Sequence, residues 1–281
     1  MRWLVFGLLL FAAFGGRLAH AEAVASGETI RLSIMPFNST MALIKTHQPL
    51  VRHLEKALGQ RVLINTSADY FTHINELLAG QYDLAITGPH FGSMAADRGA
   101  VLLFRYRAVL QPVFVVRNDS PIKTLDDMRG QRIALSSRLS ISSIGGVKWL
   151  QDGGLLLDKD YFLTERSTHG AAIASVAVGE LDAALTTHTP LKQIPEDVRS
   201  KIRVLPMDIH SPHLMTLVNG KLGKVQIERI RKALLSFQES PEGRDFFRET
   251  SYLGYESVSA ADLRSLRPYI DLTVQMMRQG R

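Results

Sequence analysis

The sequence contains no cysteine, and the motifs of several common enzyme families are also missing. Without cysteine among its 281 residues, the chain cannot form a disulfide scaffold, a thiol nucleophile, an iron–sulfur cluster or a cysteine-ligated zinc site. It also has no cysteine for lipid attachment. No GxSxG, Walker, GxGxxG or HExxH sequence occurs, so no nucleophile elbow, phosphate-binding loop or zincin helix is indicated. We therefore predict a protein that is not an enzyme and needs no cofactor.

Charge of one sign is nowhere concentrated along the chain. The 33 Lys and Arg residues exceed the 27 Asp and Glu residues, which gives a net charge of +6. The acidic residues are spread throughout, and no basic block of the kind found in nucleic-acid-binding tails is present. We predict no nucleic-acid partner, and the positive balance fits a small anionic ligand.

The N-terminal apolar run, Trp3–Phe14, is short for a membrane span. Its twelve residues fall below the roughly 20 that a spanning helix needs. Arg2 precedes the run, and Ala19-His20-Ala21 has the small-x-small form of a signal peptidase site. We predict a signal peptide at 1–21, cleaved before Glu22, which would place a soluble, non-lipidated protein in the periplasm. A single membrane anchor is the rival interpretation.

Predicted strands and helices alternate along the rest of the chain. Strands are indicated at 30–35, 61–65 and 83–87, with a helix in each gap between them. A second alternating block covers 125–207, and helices close the chain at 225–238, 242–248 and 260–277. This alternation predicts an α/β protein.

One segment of the first half of the chain recurs in the second half. Leu78–Thr87 (LAGQYDLAIT) resembles Ala177–Thr186 (AVGELDAALT), since each has a helix end, Gly, two residues, Asp, an apolar strand and Thr. The pattern indicates either two ordinary helix-to-strand turns or two α/β lobes built on one plan. Ligands of open parallel sheets bind beyond the carboxyl ends of strands. Two facing lobes would therefore place Thr87 and Thr186–Thr187 at the walls of a cleft.

A serine-rich loop, Ser136–Ser143, precedes a predicted helix. It contains five serines and Arg138. Hydroxyls and free N–H groups at a helix N-terminus can hold an anion, and the arginine could add a positive charge. The alternative is a plain helix cap, which needs only one serine. We interpret the loop as an oxyanion site.

Nine histidines raise the question of a metal site. The closest pair is His210 and His213, with His169 and His188 elsewhere. No two occur four residues apart on an evident helix, the spacing typical of helical zinc ligands. We predict no metal site.

Seven stretches of the mature chain match the motifs of one family in the right order. They are Pro36–Leu58, Ala68–Tyr70, Ala79–Pro89, Leu125–Ala134, Ser140–Ser143, His169–Ala172 and Gly254–Asp262. Through these stretches the chain, from Ile30 to about Tyr269, resembles the periplasmic substrate-binding proteins of phosphate, phosphite and phosphonate ABC importers.

The resemblance implies a type II periplasmic binding protein with two lobes, each a mixed sheet flanked by helices, and a two-strand hinge. Lobe I would comprise 28–112 and 208–281, and lobe II 113–207, with crossings near Gln111–Phe114 and Pro206–Ile209. The hinge would close around one small oxyanion of the phosphonate, phosphite or phosphate type. The closed protein, a monomer, would then dock on a membrane ABC permease.

Candidate ligand-binding residues come from the family resemblance and from the residue chemistry above, which supplies Arg138 and Thr187. They are Tyr70, Thr87, Arg138, Ser140, Ile141, Ser142, Ser143, His169, Thr187 and His188. The first two would contact the ligand from lobe I and the others from lobe II. The oxyanion would be held by the hydroxyls of Ser140 and Ser142, the amides of Ile141 and Ser143, and His169.

The chain departs from the family pattern at four informative places. The family often has a Tyr soon after Gly-Pro, where this chain has Phe91 or Gly92. Ile141 stands where the family has Thr, and Ser143 where it has Gly. Binders of aminoalkylphosphonates carry acidic residues at the far end of the pocket, whereas this chain has Thr187-His188-Thr189 there. An unpaired ammonium is costly to bury, so we expect a ligand without an amino group. Two rival functions remain: a sensor of the same fold that signals to a membrane receptor kinase, and a metal-dependent hydrolase.

Overall fold

The computed structural model describes residues 28–279, which form two large β-sheets with helices packed on them and one two-stranded sheet. The predicted signal peptide at 1–21 lies outside the described residues. Among the helices of residues 28–279, none combines the length and apolar character that a bilayer span requires.

The helices and strands fall into three consecutive stretches of chain. The first stretch holds β1 (Ile30–Ile34), α1 (Thr40–Leu58), β2 (Val62–Asn65), α2 (Tyr70–Leu78), β3 (Leu84–Thr87), α3 (Pro89–Ala96) and β4 (Ala100–Tyr106). The second holds β5 (Val109–Leu110), β6 (Pro112–Arg117), β7 (Arg132–Leu135), α4 (Ile141–Asp152), β8 (Phe162–Glu165), α5 (His169–Ala177), β9 (Ala183–Thr187), α6 (Glu196–Arg199), β10 (Ile202–Pro206) and β11 (Ser211–Pro212). The third holds β12 (Met215–Asn219), α7 (Gly223–Glu239), α8 (Pro241–Thr250), β13 (Tyr255–Glu256), α9 (Ala260–Ser265) and α10 (Arg267–Gln279).

The two sheets share one strand plan. The first has the order β13-β4-β12-β3-β1-β2 and the second the order β10-β6-β9-β7-β8. In the first, β2, β1 and β3 are parallel and β12 runs antiparallel beside β3; in the second, β8, β7 and β9 are parallel and β6 runs antiparallel beside β9. The sequence repeat at Leu78–Thr87 and Ala177–Thr186 therefore marks the same place in two lobes of one plan.

The aspartate of each repeat joins two parallel strands in the same way. Asp83 accepts hydrogen bonds from the backbone N–H of Arg31 at 2.8 Å and from its Nε at 3.1 Å. Asp182 accepts the matching pair from Arg132 at 2.8 and 3.2 Å. Each carboxylate thus ties the start of the repeat's strand to the neighbouring strand, β1 or β7.

The second sheet is buried on both faces, because helices cover both. Phe114 and Val116 of β6 point into a cluster that includes Leu150 of α4. Val113 and Val115 point into the opposite cluster, with α5. Alternate residues of a strand face opposite sides of its sheet, so a strand covered on both sides is a continuous apolar run.

The chain passes twice between the sheets, from β4 to β6 and from β10 to β12. Within these passages β5 and β11 pair antiparallel, with Leu110 opposite Ser211. The strand β6 of the second sheet begins at Pro112, within the crossing predicted near Gln111–Phe114. Below, lobe I denotes 28–112 with 208–279 and lobe II denotes 113–207, as predicted.

Two sequence-based expectations for helices need correction. The single helix predicted over 260–277 is divided into α9 and α10, which meet at Leu266. Pro268 explains the division, because proline lacks an N–H donor and its ring clashes with the carbonyl one turn earlier in a helix interior. The sequence analysis also missed α3, which begins at Pro89 directly after β3.

Candidate functional site

A small cavity lies between the two lobes. Its volume is about 40 Å³, and since one water needs roughly 10–15 Å³, it accommodates only a small ligand. Lobe I contributes Met35, Phe37, Tyr70, Gly88, Pro89, His90, Leu110, His213, Leu214 and Tyr252. Lobe II contributes Ser140, Ile141, Ser142, His169, Thr187, Thr189 and Pro190.

The first turn of α4 forms the lobe II wall of this cavity. Ser140 is the N-cap of the helix, and its Oγ accepts the N–H of Ser143 at 3.1 Å. The same Oγ lies 3.0 Å from Oγ of Ser142 and 2.7 Å from Oγ of Ser143. The serine hydroxyls are thus linked to one another, and all three residues are buried.

Two backbone N–H groups of this turn are left for a ligand. The first N–H groups of an α-helix have no intrahelical partner. The N–H of Ser143 is used by the Ser140 cap, and that of Ile144 donates to the Ser140 carbonyl at 3.0 Å. Within the described residues, the N–H groups of Ile141 and Ser142 have no such partner. Of the two amides expected to hold a ligand, that of Ile141 is without such a partner, whereas that of Ser143 donates to the Ser140 cap.

His169, at the start of α5, connects three side chains from both lobes. Its Nδ1 lies 3.1 Å from Oγ1 of Thr186, and its Nε2 lies 3.3 Å from Oγ of Ser136 and 3.5 Å from the hydroxyl of Tyr70. Burial lowers the pKa of His169 to about 4 and raises the pKa of Tyr70. Both side chains are therefore uncharged at neutral pH.

His90 and His213 line the cavity, although the sequence analysis assigned neither to it. The Nε2 of His90 donates to the carbonyl oxygen of Leu139 in lobe II at 3.0 Å. In His213, Nδ1 accepts the N–H of Leu214 at 2.8 Å, so Nε2 donates to Oγ1 of Thr189 in lobe II at 3.1 Å. Burial lowers the pKa of His90 to about 4 and that of His213 to about 3. The position of His90 after Gly88-Pro89, at the carboxyl end of β3, was the available signal.

Hydrogen bonds between the lobes hold the cavity closed. Besides the two histidine bonds, Nδ2 of Asn38 donates to Oε1 of Gln193 at 3.1 Å. At the edge, Nζ of Lys192 donates to Oγ of Ser251 at 2.9 Å. Apolar packing adds to these bonds, since Leu139 and Ile141 of lobe II are buried in the hydrophobic core of lobe I.

The cavity wall is neutral. Among the described residues, no Asp, Glu, Lys or Arg lines it. No group of three or more His, Asp or Glu side chains within residues 28–279 is placed to hold a metal ion. An anion in this cavity would therefore be held by neutral donors, namely hydroxyls, backbone N–H groups and the ring of His169.

Comparison with known proteins identifies the family. Residues 32–263 match the family described as ABC transporter, phosphonate, periplasmic substrate-binding protein. The chain belongs to this family. Its members are substrate-binding proteins of transporters. Phosphate-import protein PhnD from Mycolicibacterium smegmatis is 33% identical over 94 residues, which span 33% of this chain and 29% of that protein.

Solved structures of phosphonate-binding proteins share the fold. PhnD1 from Prochlorococcus marinus, in complex with methylphosphonate, has a TM-score of 0.77 at 14% identity, covering 86% of this chain and 96% of that chain. A binding protein component of an ABC phosphonate transporter from Pseudomonas aeruginosa has a TM-score of 0.77 at 17% identity, covering 89% and 88%. The predicted type II periplasmic binding protein fold is confirmed.

Six of the ten candidate ligand-binding residues line the cavity together. They are Tyr70, Ser140, Ile141, Ser142, His169 and Thr187. Thr87 lies behind the wall, where its Oγ1 is 2.8 Å from Nε2 of His73. His188 is also outside the lining, and its Nδ1 accepts the N–H of Gln111 at 3.3 Å.

Arg138 and Ser143 instead line a second, larger groove of this phosphonate-family protein. The groove has a volume of about 690 Å³ and runs between α2, the serine loop and α10. Nε of Arg138 lies 3.4 Å from the carboxylate of Glu165. Because this guanidinium is paired and outside the cavity, it supplies no charge to the cavity wall.

Proposed function

We propose that this protein is the periplasmic solute-binding component of an ABC importer for a small phosphorus oxyanion of the phosphonate, phosphite or phosphate type. The observation that carries the proposal is the first turn of α4, whose residues Ile141 and Ser142 line the cavity between the two lobes and have N–H groups without a backbone partner among the described residues. Membership in the phosphonate substrate-binding family supports the same ligand class.

The proposed binding mode relies on hydrogen bonds and a helix dipole. The N-terminus of a helix carries partial positive charge and N–H groups aimed outward, a combination that favours oxyanions. The hydroxyls of Ser142 and Tyr70 and the ring of His169 surround the same space. Hydrogen bonds to an ionised acceptor are about twice as strong as neutral ones, so a neutral wall can hold an anion.

The proposed mechanism is closure of the lobes around the ligand. Lobe II supplies the serine turn and His169, and lobe I supplies Tyr70 and His90. Neither lobe alone surrounds the cavity, so binding energy from both lobes stabilises the closed form over an open one. The closed monomer, in the periplasm, would then present a surface built from both lobes to the membrane permease.

A thermal-shift panel tests the proposal. The mature chain would be heated with phosphate, phosphite, methylphosphonate, sulfate, methanesulfonate or acetate. A ligand present at 100 times its dissociation constant adds roughly 2.7 kcal/mol to the unfolding free energy, so at least one phosphorus oxyanion should raise the melting temperature. A response to sulfate or acetate, with none to any phosphorus compound, would contradict the proposed ligand class.

A further inference from the structure

One nitrogen of His90 is a buried polar atom without a partner at the wall of the cavity. The side chain is 1% exposed, and its Nε2 is bonded to the carbonyl oxygen of Leu139. Within residues 28–279, no atom lies within hydrogen-bonding distance of Nδ1, which is itself buried. A buried polar atom without a partner costs free energy in the folded protein.

The partner of Nε2 determines what Nδ1 can do. A carbonyl oxygen only accepts hydrogen bonds, so Nε2 of His90 carries the hydrogen and donates it. Burial lowers the pKa of this histidine to about 4, and the neutral ring then keeps a lone pair on Nδ1. The atom can accept a hydrogen bond and cannot donate one.

The Nδ1 edge of the ring lies beside the cavity. Gly88 and Met35 are cavity-lining residues. A Cβ placed on Gly88 would lie 3.3 Å from Nδ1 of His90, 3.1 Å from its Cε1 and 3.4 Å from Sδ of Met35. Glycine at position 88 therefore keeps the Nδ1 edge of the ring free of a side chain that would crowd it, and places this edge next to the cavity-lining backbone of Gly88.

The other polar side chains that line the cavity differ from His90 in their hydrogen bonding. Nδ1 of His213 already accepts the N–H of Leu214, and its Nε2 donates to Thr189. The hydroxyls of Ser142 and Thr187 can rotate to donate to an anion. His90 differs from them, because only protonation of its ring would turn Nδ1 into a donor.

We propose that Nδ1 of His90 accepts a hydrogen bond from a P–OH group of the ligand, and so selects singly protonated phosphorus oxyanions over oxyanions without a proton, such as sulfonates. The inference rests on the proposed function and deepens it by naming the protonation state of the ligand and the residue that recognises it. Phosphorus oxyanions exchange their second proton near neutral pH; for a phosphoryl group the pKa is about 6. A sulfonate has no such proton, so its oxygen lone pair would face the lone pair of Nδ1.

Calorimetric titration at neutral pH with methylphosphonate and with methanesulfonate tests the inference. The wild-type protein should bind methylphosphonate about 10- to 150-fold more tightly, the range expected for one hydrogen bond to a charged group. His90→Phe should lose most of this preference. That variant also loses the hydrogen bond to Leu139, which holds the two lobes together. This loss affects both ligands equally, so the ratio of the two dissociation constants reports only on Nδ1 as an acceptor.

His47→Phe is the matched control. His47 is also fully buried, its Nδ1 is bonded to the carbonyl oxygen of Leu43 at 2.9 Å, and its Nε2 has no partner within the described residues. It packs against Phe246 rather than the cavity. This variant should keep the wild-type ratio. Gly88→Ala retains the His90 ring but covers its Nδ1, so this variant should lower the ratio as His90→Phe does. It provides the test if His90→Phe does not fold.

The outcomes separate this inference from the proposed function. Equal wild-type affinity for the two probes, or an unchanged ratio in both cavity variants while methylphosphonate still binds, would overturn the role of His90 alone. Failure of methylphosphonate, phosphite and phosphate to bind at all would overturn the proposed function and this inference with it.

Discussion

Tyr70 and His169 occupy the same position in two lobes of one plan, 99 residues apart, and meet across the cleft with the hydroxyl and Nε2 at 3.5 Å. Each is the first residue after the N-cap of its helix, Asp69 for α2 and Thr168 for α5. Because the two sheets share their strand plan, equivalent helix starts face each other. The proposed site is thus assembled from the same place in both lobes.

Ser142→Ala should weaken methylphosphonate binding about 10- to 150-fold, because a hydrogen bond to a charged group contributes about 1.5–3 kcal/mol. Ser140, not Ser142, caps α4, so the melting temperature of the ligand-free variant should stay close to that of the wild type. Calorimetry gives the dissociation constant and differential scanning fluorimetry the melting temperature.

Ser259→Ala is the control for that variant. Ser259 caps α9, where its Oγ accepts the N–H of Asp262 at 3.0 Å, outside the cavity. Loss of this cap should cost about 1 kcal/mol of stability and leave the affinity unchanged. The prediction fails if Ser142→Ala behaves like this control.

Gln193→Ala should raise the dissociation constant about 2- to 10-fold, through faster release. Oε1 of Gln193 accepts from Nδ2 of Asn38 in the other lobe at 3.1 Å, a bond available only when the lobes are closed. Stopped-flow release of the ligand measures the effect. Asn38→Ala added to Gln193→Ala should cause little further loss, and full additivity would show that the two side chains do not act as a pair.

2-Aminoethylphosphonate should bind at least about 10-fold more weakly than methylphosphonate, because burial of an ammonium without a partner is costly. Among the described residues, no carboxylate lines the cavity, whose volume is only about 40 Å³. Competition calorimetry measures the order of affinity. Tighter binding of the amino compound would indicate that the ligand extends into the outer groove, toward Glu165.

The protein should lose stability in acid as its buried histidines gain protons. Burial lowers the pKa from 6.5 to about 4 for His47, His73, His90 and His169. The unfolded chain binds more protons between these values, so the stabilisation is complete above about pH 6.5 and is lost as the pH falls toward 4. Each such histidine accounts for on the order of 3 kcal/mol, against a typical total of about 5–15 kcal/mol.

We therefore expect the ligand-free protein to unfold between about pH 6.5 and pH 4. Circular dichroism measures this transition. His47→Leu should shift the midpoint to lower pH, since it removes one group that takes up a proton on unfolding and lies outside the cavity. An unfolding free energy that stays constant from pH 7 to pH 4 would contradict the neutral state assigned to these side chains.

Local patterns in the sequence predicted most of the regular structure, because the information is contained within a few residues. Strands were predicted at 30–35, 61–65 and 83–87, and the structure has β1, β2 and β3 at Ile30–Ile34, Val62–Asn65 and Leu84–Thr87. The repeat around Asp83 and Asp182 predicted two lobes of one plan.

The serine turn illustrates what sequence patterns can and cannot predict about a site. The density of serines before α4 indicated an oxyanion site without any knowledge of the partner lobe. Which amides remain free was a different question, because it depends on which hydroxyl becomes the cap. In the structure, Oγ of Ser140 accepts the N–H of Ser143. The N–H groups of Ile141 and Ser142 are then the candidates for binding a ligand.

The sequence by itself determined the α/β class, the repeated lobe plan, the serine turn and the family, because each depends on local spacing or on motifs in order. Only the tertiary structure decided which side chains share the cavity. Arg138 lies in the outer groove beside Glu165, whereas His90 lines the cavity and bonds to Leu139 in the other lobe. Such pairings join residues far apart in the chain, and they arise only when two lobes pack together, so no local pattern specifies them.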